Sequence, residues 1–171
     1  MNLNGHFESR GWLAARSDEV FAQLDDHYRL SAHMSRSSWM MGGARMSIET
    51  DELRGQSVGS RIRLAGRVLG MRLFLEEAVT ERNPPRRKVW QTVGTPRLLI
   101  IGDYRMGFEI APEGEGSRLR VFIDYALPQT PPARWLGRLL APSYARWCTE
   151  SMVNDAIEHF SPAEGQAAQA R

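Results

Sequence analysis

Residues 143–160 read SYARWCTESMVNDAIEHF. Apolar residues recur through this span at helical spacing, and it follows a long series of segments in which apolar and polar residues alternate. The span predicts a long amphipathic helix, and the alternation predicts strands for it to lie across. The alternation is cleanest just after Ser60, where Ile62, Leu64, Gly66 and Val68 share one face and Arg61, Arg63, Ala65 and Arg67 the other. Period two marks a strand with one buried face. A straight helix over the apolar face of a curved antiparallel sheet leaves space between the two, and small molecules bind in such spaces.

Working outward, Phe7–Ala14 predicts a first strand, with Ser17 as the N-cap of a short helix carrying Asp18 and Glu19 in its first turn. Val20, Phe21 and Leu24 give that helix an apolar face, and Asp25 with Asp26 breaks it before a second short helix, His27–Leu30. Met46, Ile48 and Thr50 alternate with Ser47 and Glu49 in a second strand, and Arg54–Ser57 supply a turn. After the third strand, Ile62–Val68, a fourth places Met71, Leu73, Leu75, Glu77 and Val79 on one face, and Asn83, Pro84 and Pro85 turn the chain. Val89–Val93 predicts a short fifth strand. Tyr104, Met106, Phe108 and Ile110 line one face of a sixth, and Leu119, Val121, Ile123 and Tyr125 one face of a seventh, joined by a loop containing Pro112, Gly114 and Gly116. Past Pro128, Pro131 and Pro132, helical spacing begins with Trp135, Leu136, Leu139 and Leu140, and Pro142 is expected to kink or restart the helix. The Ala, Gln, Gly and Glu-rich residues 161–171 read as a flexible tail behind one domain, 1–160.

Composition agrees with a single folded domain: 171 residues, 42% hydrophobic and 25% charged. The formal net charge of +2 argues against a polyelectrolyte partner, so no nucleic acid is expected. Cys148 is the lone cysteine; it excludes a disulfide framework and, with no apolar leader at the N-terminus and no run long enough to span a bilayer, suggests a cytoplasmic protein. Of the 22 basic residues Lys88 alone is lysine. The arginines are spread along the chain, as a solvated, salt-bridged exterior would be.

The order of strand, two short helices, six strands and long helix, with Ala15–Asp26 (ARSDEVFAQLDD), Val79–Trp90 (VTERNPPRRKVW), the hairpin around Glu113–Val121 and the final helix, resembles the START-like, or SRPBCC, superfamily. Within it the chain is most similar to the polyketide cyclase/dehydrase and lipid-transport group, over about 150 residues. The resemblance implies an α+β helix-grip fold: a seven-stranded antiparallel sheet wrapped around a long C-terminal helix, with two short helices after the first strand. It implies a hydrophobic or aromatic ligand such as a lipid, quinone or polyketide-like compound in an internal cavity. The alternatives are an aromatase/cyclase-type enzyme acting on a polyketide-like substrate, or a module that docks on a macromolecule. Such motifs specify fold better than activity.

In that architecture the inward strand positions and one helix face become ligand contacts: Met46, Ile48, Leu64, Leu75, Trp90, Met106, Phe108 and Ile123, with Trp39 near the entrance and Trp147 and Asn154 on the helix. Glu77 stands out because it shares the inward register of Leu73, Leu75 and Val79. A carboxylate there is either a general acid or base, or an anchor for a ligand hydroxyl, or it escapes to solvent or an arginine near a bulge. Tyr104 and Tyr125 also point inward, each carrying a hydroxyl on an apolar body that either orients a ligand or reaches water. Ser143, Trp147, Glu150 and Asn154 fall within one helical sector, in which Trp147 walls the cavity and Glu150 and Asn154 are either ligand contacts or polar residues on a face that the Pro142 kink rotates toward solvent. His33 is a further candidate base, by position alone. No two histidines stand at helical ligand spacing and no cofactor motif is present, so neither metal nor cofactor is expected. Arg61, Arg63, Arg67 and Arg72 form a basic face, with Glu49, Asp51 and Glu76 available as partners. Peripheral membrane contact stays open, and the sequence leaves the oligomeric state undetermined.

Overall fold

The computed structural model describes residues 3–30, 46–68 and 71–161, with Met46, Val68 and Met71 in backbone only. Strand β1 (Gly5–Leu13) is followed by helices α1 (Ser17–Asp25) and α2 (His27–Leu30). Six strands come next: β2 (Met46–Thr50), β3 (Arg61–Val68), β4 (Met71–Asn83), β5 (Arg87–Arg97), β6 (Tyr104–Glu113) and β7 (Gly116–Tyr125). Helix α3 (Pro131–Phe160) closes the order. The sheet runs β1-β7-β6-β5-β4-β3-β2, and every neighbour is antiparallel. This is the helix-grip arrangement. Cross-strand pairs Leu64↔Leu75, Trp90↔Met106 and Met106↔Ile123 put the alternating apolar residues on one face, under α3.

Two bulges explain why β4 and β5 outrun the alternation that marks them in the sequence. The β4–β5 register shifts between Phe74 and Glu76, where Gly94 adopts φ +73°, and again between Val79 and Glu81. A bulge breaks period two without ending the strand, so β5 covers Arg87–Arg97 rather than only Val89–Val93. The second bulge also lets Val79 and Arg82 face the same side.

The sheet contacts α3 through small residues, and here the sequence expectation is corrected. The helix starts at Pro131 and carries Pro142 inside it rather than restarting there. Its buried side is Gly137, Ala141, Ala145, Cys148 and Ala156, with Thr149, Met152 and Val153. Trp135, Leu139 and Leu140, the large residues expected to mark the packed face, are exposed. Small side chains bring the helix close: a Cβ at Gly11 of β1 would lie 2.7 Å from Val153, and one at Gly137 would lie 2.6 Å from the carbonyl oxygen of Ile100. The Thr149 hydroxyl meets that of Ser9 on β1 at 2.9 Å.

At the other end α1 lies over the sheet. Its N-cap is Arg16, whose N–H donates to the Glu19 carboxylate at 3.0 Å. Ser17, expected to cap, is instead the first helical residue, and its hydroxyl meets that of Ser117 at 3.0 Å. Phe21 packs edge-on against Phe108 at 5.6 Å, and Phe108 against Trp90 at 6.4 Å. The last residue of α1, Asp25, is fastened from below. Lys88 donates from Nζ to the Asp25 carbonyl at 2.8 Å and pairs with its carboxylate at 3.0 Å, and Arg82 Nη2 meets that carboxylate at 2.8 Å. The only lysine of the chain is thus 0% exposed, where a reading from composition puts charge outside. Burial pushes the Lys88 amine below the ordinary lysine value. Burial also works against ionising Asp25, yet the hydrogen bond from Arg82 and the charge of Lys88 outweigh it and hold this carboxyl below its usual range.

Candidate functional site

Asp26 ends α1 and starts α2: its carboxylate accepts the N–H of Tyr28 at 3.0 Å. That cap sets the phase of the short helix so that its first residue, His27, points into the sheet. The imidazole meets the Trp90 ring edge-on at 5.2 Å and places Nε2 3.3 Å from Glu77 Oε2. Tyr104, reaching across from β6, donates its hydroxyl to Glu77 Oε1. Glu77 itself lies between Ile62 of β3 and Thr92 of β5 and is 2% exposed. With Glu77 as a carboxylate both neighbours donate to it, and His27 Nε2 carries the proton. Nδ1 of His27 is then buried with no hydrogen-bond partner among the described residues.

This carboxylate, phenol and imidazole form the polar end of an otherwise apolar internal cavity of about 40 Å³. Leu64, Leu75, Met106 and Ile123 wall it from the sheet, and Tyr144, Cys148 and Met152 from α3. Leu30 of α2 and Leu98 and Ile101 of the β5–β6 connection complete it. Burial pushes the Tyr104 phenol well above its ordinary value, and the charge of Glu77 adds to the effect, so the hydroxyl remains a donor across the physiological range. Burial likewise raises Tyr144 and lifts the Cys148 thiol to about 12, far from a reactive thiolate. The volume admits a water molecule or two; ligand pockets run to roughly 300 Å³ and more. A second, external cleft of about 890 Å³ runs along the first half of α3. Leu98 and Ile101 line both spaces, so these two side chains are the partition between them.

Of the residues expected to meet a ligand, Leu64, Leu75, Glu77, Trp90, Tyr104, Met106 and Ile123 converge on the cavity. Phe108 does not reach it, being buried between Phe21 and Trp90. Ile48 is half-buried against the core, and Tyr125 lines the external cleft. Trp147 packs half-buried on Tyr144, with ring centroids 5.8 Å apart. Asn154 and Ser143 are exposed, and Glu150 is tied to Arg146 at 2.8 Å. Of the two readings of this helical sector, the solvent-facing one fits Glu150 and Asn154, and Trp147 does not wall the cavity, because the small residues and not the tryptophans set the packed face. His33, Trp39 and the side chain of Met46 lie outside the described residues.

Seven cavity residues escape the sequence reading: His27, Leu30, Leu98, Ile101, Tyr144, Cys148 and Met152. A signal existed for several of them. Phe21, Leu24, His27 and Leu30 recur every third residue, which places His27 on an apolar face, and Tyr144, Cys148 and Met152 recur every fourth. On the outer face Arg61 pairs with Glu76 at 2.7 Å and Arg63 approaches it at 3.8 Å, in line with cross-strand pairing. Among the described residues Asp51 pairs with no arginine side chain; it accepts the Ser60 hydroxyl at 2.6 Å and the Arg61 N–H at 2.7 Å, closing the β2–β3 turn. No helix among the described residues is long and apolar enough to cross a membrane.

No curated protein matches the chain. Among solved structures, an aromatase/cyclase from a Streptomyces species superposes with a TM-score of 0.68 at 16% identity, covering 91% of this chain and 92% of that one. A Thermus thermophilus protein gives 0.66 at 17%, covering 91% and 97%. A major latex-like protein of Panax ginseng gives 0.56 at 18%, covering 94% and 100%. At these identities the likeness is one of fold. Residues 6–154 match the family described as polyketide cyclase / dehydrase and lipid transport, and the chain belongs to that family.

Proposed function

We propose that the protein binds a hydrophobic or aromatic small molecule, of the lipid, quinone or polyketide-like kind, in the cavity between the sheet and α3. The observation that carries this reading is the bonded array of Glu77, Tyr104 and His27 at one end of an apolar wall. Apolar lining supplies affinity without direction, and a few convergent polar groups orient the ligand. Each Glu77 oxygen takes one donor from the protein and keeps lone-pair capacity for another, so a ligand hydroxyl docks there, while a ligand carbonyl accepts a hydrogen bond from the Tyr104 hydroxyl only by displacing Glu77 from it. Room comes from Met106, Met152, Leu98 and Ile101. The thioether chains repack at little cost, and the Leu98–Ile101 partition stands between the cavity and the outer cleft.

Native mass spectrometry of freshly purified protein, followed by organic extraction, tests the reading directly. A retained small molecule is expected, as is micromolar binding of a fluorescent apolar probe that weakens in Leu98→Trp. Delipidated protein that takes up neither apolar probes nor any component of a lipid extract overturns it.

The same array favours a second reading, an aromatase/cyclase-type enzyme. Glu77 removes a proton from the carbon between two carbonyls of a bound chain, the electron pair moves onto the carbonyl oxygen, and the Tyr104 hydroxyl stabilises that developing oxyanion. Turnover abolished in Glu77→Gln with binding retained supports this reading. Equal turnover in the variant removes Glu77 from the chemistry.

A further inference from the structure

The first half of α3 carries its largest apolar side chains on the wrong side for packing. Trp135, Leu139 and Leu140 are 66%, 58% and 42% exposed, while Gly137 and Ala141 face the protein. At about 100° per residue, Trp135 and Leu139 lie roughly opposite this buried side. The charge carried by this half-helix is of one sign. From Tyr125 to Thr149 the chain has no aspartate or glutamate but three arginines, Arg134, Arg138 and Arg146. Arg146 is held by Glu150. Arg134 and Arg138, with Arg97 of β5, border the external cleft and have no carboxylate partner among the described residues; Asp103 is the one acid in that cleft.

We propose that this half-helix is a docking face for an anionic lipid surface. A helix lying in the headgroup layer needs an apolar ridge that enters the acyl boundary and basic residues beside it that meet lipid phosphates. Trp135, Leu139 and Leu140 form the ridge, and Arg134, Arg138 and Arg97 the basic margin. A second copy of the chain fits less well. A two-fold contact sets the same patch against itself, and this patch would bring three arginines against three with Asp103 as the one acid beside them. The inference is independent of what the cavity holds, since it concerns a face of the protein outside it.

Co-sedimentation of the full chain with vesicles decides the matter. Phosphatidylcholine vesicles containing about 30% phosphatidylglycerol are expected to capture the protein, pure phosphatidylcholine far less, and binding is expected to fall steeply by about 0.5 M salt. The double variant Trp135→Ser with Leu139→Ser is expected to bind at least about tenfold more weakly, and Arg134→Gln with Arg138→Gln to lose the preference for anionic lipid. All four side chains are solvent-facing, and an unchanged circular dichroism melt checks that the variants fold. Failure to bind phosphatidylglycerol vesicles overturns the proposal, as does binding that ignores the Trp135 and Leu139 changes. A dimer that dissolves in the Trp135→Ser, Leu139→Ser variant, without vesicle binding by the parent, assigns the face to self-association instead. Ligand retention in the cavity is measured separately and survives either result if the proposed function is right.

Discussion

Asp25 and His27 stand two residues apart, both are buried, and both reach down from the helices to polar partners on the sheet, yet their surroundings differ. Asp25 is saturated: Lys88 and Arg82 fill its carboxylate, Lys88 also takes its carbonyl, and it is no part of the cavity wall. His27 and its partners Glu77 and Tyr104 border the cavity and keep hydrogen-bonding capacity in hand, including an Nδ1 that no described residue meets. A buried polar cluster with all its valences filled acts as a fastener. One that borders a cavity and keeps capacity is where the proposed ligand would be oriented.

Removing one member of a buried ion cluster strands the others, so Lys88→Met is expected to cost the most stability, about 3 kcal/mol by urea denaturation. A loss under about 0.5 kcal/mol would erase the distinction between the two clusters. Glu77→Gln keeps the shape and part of the hydrogen bonding and is expected to cost about 1 kcal/mol, while weakening binding of a hydroxylated ligand far more than that of a purely apolar probe. Equal weakening of both would remove Glu77 from ligand recognition.

The two clusters also titrate in opposite directions. The Asp25 carboxyl is held below its unfolded value, so its contribution is present at neutral pH and is lost as pH falls below about 4 toward the lowered value. Tyr104 is raised above its unfolded value, so its contribution is complete below about pH 10 and is lost as pH rises beyond it. Melting temperatures across pH should therefore show Asp25→Asn converging with the parent in acid and Tyr104→Phe converging with it in alkali. Parallel curves at both ends would break the assignment. The smallest effect is expected on the outer face, where Arg61→Ala should change stability by less than about 0.5 kcal/mol despite its ion pair with Glu76.

The strands were legible because period two survives in sequence: Leu64, Leu75, Glu77, Trp90, Tyr104, Met106 and Ile123 could each be placed on the cavity wall from alternation. The long helix was legible too, but its packed face was not, because much of that face is written in glycine and alanine, which carry little hydrophobic signal, while Trp135, Leu139 and Leu140 face out. His27 escaped although the second short helix was expected, because four residues are too few to fix their own phase from sequence, and it is the Asp26 cap that turns His27 toward the sheet. Lys88 escaped for a different reason. Composition assigns charges to the surface on average, and nothing local marks the one lysine that departs from that average.

That lone buried lysine makes the protein its own clock. Amine-acylating reagents and lysine-specific proteases have one internal target in this chain, and in the folded state it is covered. The pace at which either reagent reaches Lys88 reads how often the molecule opens, so a single mass spectrum of acylated or cleaved chains would follow ligand protection and mutational damage on one scale.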